Sequence, residues 1–132
     1  MHKVRTAEKK DINELIELLR VHMNKALSSE WRGSASAYER DGFGKEFGSV
    51  IAETLNGAII GFGPWRHFYD IHHCISGGEL MDIYVKPKYR GHGVALSIVA
   101  CIAKQLQAKG GQFYEVRHFR IRKLNIFTIA WQ

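Results

Sequence analysis

The residues Arg90-Gly91-His92-Gly93-Val94-Ala95-Leu96 have the types and the spacing that could do chemistry in this chain. Gly91 and Gly93 allow positive φ and let the backbone come close to a ligand. They stand directly before a run in which Ala95, Ile98, Val99, Ile102 and Leu106 recur at helical spacing. A glycine loop opening onto a helix N-terminus offers amide N–H groups with no intrahelical partner, and the helix dipole adds positive potential. The chemistry implied is anion binding, and a phosphate or pyrophosphate would fit. The loop is not a Walker loop, because no Gly-Lys-Ser/Thr follows. Nor is it the dinucleotide G-x-G-x-x-G, because Leu96 stands where the third glycine would be. On spacing alone, an ordinary strand-to-helix turn is the alternative.

The elements around the loop must position it. Leu80 to Val85, apolar and aromatic, reads as a strand. Pro87 cannot donate to a ladder and should stop it. Gly110-Gly111 ends the helix. Upstream, His2 to Thr6 reads as a short strand. Ile12, Leu15, Ile16, Leu18, Leu19 and Met23 form the apolar stripe of a charged helix. Ser28 to Arg40, with Trp31 and Tyr38, should hold a shorter helix, and Asp41-Gly42-Phe43-Gly44 a turn. Phe47 to Leu55 is the next strand. Asn56-Gly57 signals a hairpin, answered by Ala58 to Phe62 and running on toward Phe68 past Pro64. His67 to Cys74 reads as a connection or strand end, and Gly77-Gly78 as the turn into Leu80. Gln112 to His118 is a further strand. Phe119 to Gln132 permits either a strand or a short helix.

A length of 132 residues bounds the chain to one domain, residues 1–132. Its longest apolar runs fall far below the ~20 residues of a membrane span, and no signal-peptide pattern opens it. Cys74 and Cys101 have neither metal nor disulfide spacing, so the expected compartment is the reducing cytoplasm. The net charge of +6 suits nucleic acid, a membrane surface or an anionic cofactor alike.

Tyr89-Arg90-Gly91-His92-Gly93-Val94-Ala95 resembles the acetyl-CoA signature of the GNAT N-acetyltransferases, Arg/Gln-x-x-Gly-x-Gly/Ala, here as Arg90, Gly93 and Ala95. The preceding strand with Val85-x-Pro87 and the following helix also match. The resemblance implies a fold of the α/β class, a GNAT-like mixed and mostly antiparallel sheet flanked by helices. It implies that the loop amides of Arg90, Gly91, His92, Gly93, Val94, Ala95 and Leu96 hold the pyrophosphate of acetyl-CoA, the co-substrate. It further implies that the backbone of Ile83, Tyr84 and Val85 pairs with the pantetheine arm. Within the family, Asp41-Gly42-Phe43-Gly44, Gly61-Phe62, Tyr69-Asp70 and Leu80-x-Asp82-x-x-Val85 resemble the spermidine/spermine and diamine acetyltransferase group. The reaction implied is acetyl transfer to a primary amine of a small molecule, a polyamine or diamine.

Two departures from that pattern bear on the chemistry. Where the subgroup has a Glu before the strand Asp, this chain has Met81, which cannot take a proton. Asp82 or Glu79 would then be the base that deprotonates the ammonium group of the acceptor. Simple alternation puts Asp82 on a face with Leu80 and Tyr84, and Glu79 on the other with Met81; the family's bulge in this strand would change that phase. Geometry at this stage does not choose between them, and a solvated or ion-paired carboxylate is the plain alternative for each. The family's later Tyr, which usually protonates the leaving thiolate, has no counterpart after Tyr114. The expected fold therefore has a shortened C-terminal part, an open sheet edge and an apolar end that needs cover, from which a homodimer follows. A degenerate domain that binds CoA without efficient catalysis is the alternative function.

Other residues read more plainly. His72-His73-Cys74 looks like a metal cluster, but adjacent histidines on a strand point to opposite faces, so no metal is expected. Trp31, Tyr38, Trp65 and Tyr69 are aromatic candidates for an acceptor pocket or for core, and Glu53 is a candidate for binding a cation. Cys101 should be an inert core residue. Arg117, Arg120, Arg122 and Lys123 read as solvated surface, and without an aromatic-basic motif no nucleic-acid or membrane partner is expected.

Overall fold

The computed structural model describes residues 1–26, 30–112 and 114–116. The second half of the Gln112 to His118 strand, the basic residues from Arg117 onward, the open end and the dimer contact expected from it lie outside those residues. The elements run β1 (Lys3–Thr6), a short 3-10 turn (Lys9–Asp11), α1 (Ile12–Ala26), α2 (Ala35–Asp41), β2 (Gly48–Glu53), β3 (Ile59–Asp70), β4 (Ile75–Leu80), β5 (Tyr84–Val85), a second 3-10 turn (Pro87–Tyr89), α3 (Val94–Ala108) and β6 (Tyr114–Val116). The sheet order is β1-β2-β3-β4-β6, with β5 also paired to β3. Every pairing is antiparallel except β4 with β6. That parallel pair needs a long crossover, which α3 supplies.

Helices cover both faces. Val94, Ile98, Val99, Ile102 and Leu106 of α3 pack against Val50, Ala52, Trp65, Leu80 and Val85. Leu15, Ile16 and Leu18 of α1, with Tyr38 of α2, pack against Ile51, Phe62 and Tyr84 on the other face. Alternation along β2 sends Val50 and Ala52 one way and Ile51 the other, as a strand buried on both faces requires. Ser34 caps α2, its Oγ accepting the Ala37 amide at 3.1 Å. The Asn56-Gly57 hairpin forms as expected, with Gly57 at φ 89°.

Several expectations are corrected. Gly77 and Gly78 make no turn; they sit inside β4, opposite Phe68 and His67. A Cβ on Gly78 would lie 2.3 Å from Leu106 Cδ1, so the glycine is there for close helix–sheet packing. The turn before β4 is at residues 71–74, where Asp70 Oδ1 accepts the amides of His72 and His73. His72 and His73 are therefore turn residues, not strand residues. Of the α3 stripe, Ile98, Val99, Ile102 and Leu106 are buried, while Ala95 is exposed.

The largest correction concerns Leu80 to Val85, which is not one strand. β4 stops at Leu80 and β5 begins at Tyr84. Leu80 pairs with Trp65 and Tyr84 with Phe62, so four steps on one strand oppose three on the other. The extra residue is a bulge, and it reverses the alternation. Leu80 faces α3 while Tyr84 faces α1. Pro64 supplies the cause. The Met81 amide donates to Pro64 C=O at 2.8 Å, but proline has no N–H to return the bond, so the ladder loses its next rung there.

Charge ties β1 to the start of α1. Arg5 donates to both carboxylate oxygens of Asp11, at 2.9 and 2.8 Å, and to Glu53 at 3.2 and 3.3 Å. The Arg5 guanidinium holds both carboxyls below their usual range. A carboxyl depressed on folding adds stability that is present above its unfolded pKa and lost as pH falls through the folded one. Asp11→Asn should therefore be less stable than the parent at pH 7 and should lose less stability on acidification below about pH 5, as urea unfolding across pH will read. Gly78→Ala should cost about 1–3 kcal/mol by overpacking. Adding Leu106→Ala should recover part of that cost, a coupling that a double-mutant cycle measures.

Candidate active site

The bulge and the glycine loop meet at one groove. Gly91 and Gly93 both adopt left-handed φ, 81° and 78°, and Gly93 is the N-cap of α3. The loop thus presents the first turn of a 15-residue helix to one wall of the groove. One hollow of about 430 Å³ is bordered by Ile83, Tyr84, Val85, Arg90 and Ala95, together with His22 and Lys25 of α1. An adjoining one of about 320 Å³ is bordered by Val85, Arg90, Gly91, Gly93, Val94, Ala95 and Leu96. Nine of the ten residues singled out around the loop and strand end line these two hollows. The tenth, His92, is exposed and donates from Nδ1 to Tyr89 C=O at 3.3 Å; it borders a separate hollow beside Met1 and His2.

Strand geometry leaves an edge for the groove. The Lys86 amide donates to Ile60 C=O at 2.8 Å, so Lys86 and Tyr84 turn their backbone groups toward β3. Val85 turns its own outward. Its carbonyl accepts from Arg90 Nε at 2.8 Å, and the Arg90 guanidinium lies 5.6 Å from the Tyr84 ring centroid. Arg90 thereby fixes the loop against β5. Among the described residues β5 pairs with β3 alone.

The two candidate carboxylates have separate fates. Glu79 is buried on β4 and accepts from Arg66 Nε at 3.1 Å. Asp82 sits in the bulge, part-exposed. Its Oδ1 accepts the Ile83 amide at 2.8 Å, and its Oδ2 lies 2.9 Å from His22 Nε2. His22 was missed in the sequence. The signal was there: it follows Leu15, Leu18 and Leu19 at helical spacing, a polar residue on an apolar stripe.

The remaining candidates do not border these two hollows. The buried Tyr38 bonds Ser49 Oγ at 2.7 Å, and burial raises its phenol pKa. Trp65 is buried against α3, Tyr69 is exposed, and Trp31 stacks with Arg20. Glu53 is occupied by Arg5 and Lys3. Cys101 is half-buried, and burial pushes its thiol pKa up. Among the described residues no group of three His, Cys, Asp or Glu side chains could hold a metal ion, and no helix is long and apolar enough to cross a membrane.

A mixed sheet is interrupted beside a glycine loop and a helix N-terminus, and the chain belongs to the acetyltransferase (GNAT) family, whose model matches residues 12–129. The matched span includes the terminal segment outside the described residues. Among curated proteins, the chain is 30% identical to thialysine N-epsilon-acetyltransferase of Sus scrofa, over 81% of this chain and 68% of that protein. It is 29% identical to the Bos taurus protein of the same name, over the same shares. Among solved structures, it superposes with a TM-score of 0.75 on ribosomal-protein-alanine N-acetyltransferase from Brucella melitensis biovar Abortus 2308, at 16% identity over 96% of this chain and 86% of that one. The TM-score is also 0.75 for an aminoglycoside acetyltransferase from an uncultured soil metagenomic sample, in complex with sisomicin, at 12% identity over 99% and 87% of the two chains. At those identities the likeness is one of fold.

Proposed function

We propose that this chain, folded as one domain over residues 1–132, transfers acetyl from acetyl-CoA to the primary amine of a small cationic molecule. The observation that carries the reading is the meeting of the Ile83–Val85 edge with the Arg90–Leu96 loop in one groove. In this reading the pyrophosphate lies against the amides of Gly91 to Leu96 at the positive end of α3, with Lys25 and Arg90 adding charge. The pantetheine runs along the outward-turned edge of β5 and brings the thioester to the bulge at residues 81–83. There Asp82 marks the end of the groove at which the amine is deprotonated. Glu79, buried against Arg66, fits a structural role better than a catalytic one. The acceptor is a polyamine, a diamine or an amino acid with a terminal amine, a choice supported by relatives named for an N-epsilon-acetyltransferase. Met81, where the subgroup has Glu, favours the alternative reading, a domain that binds CoA without efficient transfer. The protein is also proposed to act as a homodimer in the cytoplasm; a monomeric mass in solution at micromolar concentration would overturn the dimer.

A thermal-shift titration with acetyl-CoA, followed by thiol release with a panel of amines, tests the reading. A ligand at a hundredfold excess over Kd adds about 2.7 kcal/mol of stability, so a true site gives a clear rise in Tm. Gly93→Ala should lose the acetyl-CoA shift. Its own strain, about 1–2 kcal/mol for a side chain at left-handed φ, is matched by Gly57→Ala at φ 89° in the distant hairpin, which should keep the shift. No shift with the parent protein sinks both readings. A shift without thiol release from any amine leaves the CoA-binding alternative.

A further inference from the structure

His22 occupies a place where a core residue belongs. It extends the buried Leu15 and Leu18 row of α1, and its side chain is only 12% exposed. The imidazole packs 4.9 Å from the Tyr84 ring, centroid to centroid. Its Nε2 is 2.9 Å from Asp82 Oδ2, while the other Asp82 oxygen is held by the Ile83 amide at 2.8 Å. A carboxylate can only accept, so Nε2 carries a hydrogen, which in a neutral imidazole leaves the lone pair on Nδ1. The carboxylate is fixed at both oxygens, and the ring is fixed by the carboxylate and by Tyr84. The residue nonetheless borders the groove beside Ile83 and Val85. Asp82 in the bulge and Tyr84 on β5 contact the ring, and Lys25 on its own helix and Arg90 from the glycine loop border the same hollow.

We propose that His22 takes the proton from the acceptor amine and that Asp82 is the positioning residue that holds the imidazole for it. This rests on the acetyltransferase reading above. An imidazole is a stronger base than a carboxylate and lies nearer to neutral pH, which suits it to an ammonium substrate. The pair also supplies a base at the bulge despite Met81. In the step, the ammonium group gives one proton to Nδ1, and the freed lone pair attacks the thioester carbonyl carbon. The C–N bond forms, and the C–S bond breaks with its electron pair leaving on sulfur. Of the three ammonium protons, one passes through Nδ1 to solvent, one goes to the departing sulfur and one stays on the amide nitrogen.

The test measures thiol release against pH for the parent, His22→Gln and Asp82→Asn, using the amine with the highest turnover, with the acetyl-CoA thermal shift measured alongside. His22→Gln keeps a hydrogen-bonding side chain that does not titrate. It should lower kcat by about 10²–10⁴-fold, flatten the acid limb of the profile and leave the acetyl-CoA shift intact. Asp82→Asn should lower kcat less and retain a limb. His22→Gly should be partly rescued by added imidazole. A His22→Gln enzyme with kcat within about twofold of the parent and an unchanged profile overturns the proposal and returns the base to Asp82 or water. Loss of the acetyl-CoA shift in His22→Gln also overturns it, since the residue would then be a structural tie between α1 and the bulge. Absence of thiol release from the parent with every amine overturns the transferase reading itself, a result distinct from failure of His22 alone.

Discussion

One missing hydrogen-bond donor organises this molecule. β3 is the longest strand among the described residues, and it pairs with β2 on one side and with both β4 and β5 on the other. At Pro64 it accepts from Met81 but cannot donate back. The partner strand gains a residue there, and the side chains after Leu80 change face. Leu80 stays with α3, Tyr84 goes to α1, and Asp82 is left in the irregular segment between them. A regular strand would have buried both of its edges in the sheet. The interrupted one turns the backbone of Val85 outward, beside the glycine loop.

The loop depends on that interruption as much as on its glycines. Arg90 returns to the Val85 carbonyl and lies against Tyr84, so the loop is registered to β5 by one side chain. Gly91 and Gly93 then carry the chain through two left-handed residues into α3. α3 is held in turn by close approach to the sheet, where Gly63 and Gly78 leave no Cβ between β3, β4 and the side chains of Ile98 and Leu106. The loop end of the groove is thus set by packing on the α3 face. The bulge end is set by α1 on the opposite face, through His22. The groove lies where these two halves of the core meet the sheet break.

Much of this was legible in the chain itself. The glycine loop, the stripe of α3, the stripe of α1 and the Asn56-Gly57 hairpin are local signals, because helix period and turn chemistry act over a few residues. The family likeness followed from the same loop and its flanking elements. Gly77-Gly78 reads as a turn because glycine marks turns and close packing alike, and for Gly78 the position of Leu106 tells which.

The sequence by itself determined most of the elements, the glycine loop and the family, since each is written in neighbouring residues. Tertiary structure alone decided which carboxylate meets a side chain that borders the groove. Glu79 and Asp82 are three residues apart and equivalent in type. One is buried against Arg66, and the other is freed by a bulge whose cause, Pro64, lies on a different strand. It alone brought His22, sixty residues away from Asp82 in the chain, to within 2.9 Å. The physical reason is the same in both cases. Strand register and helix–sheet packing are non-local, so the partner of a side chain is fixed by where two distant segments meet.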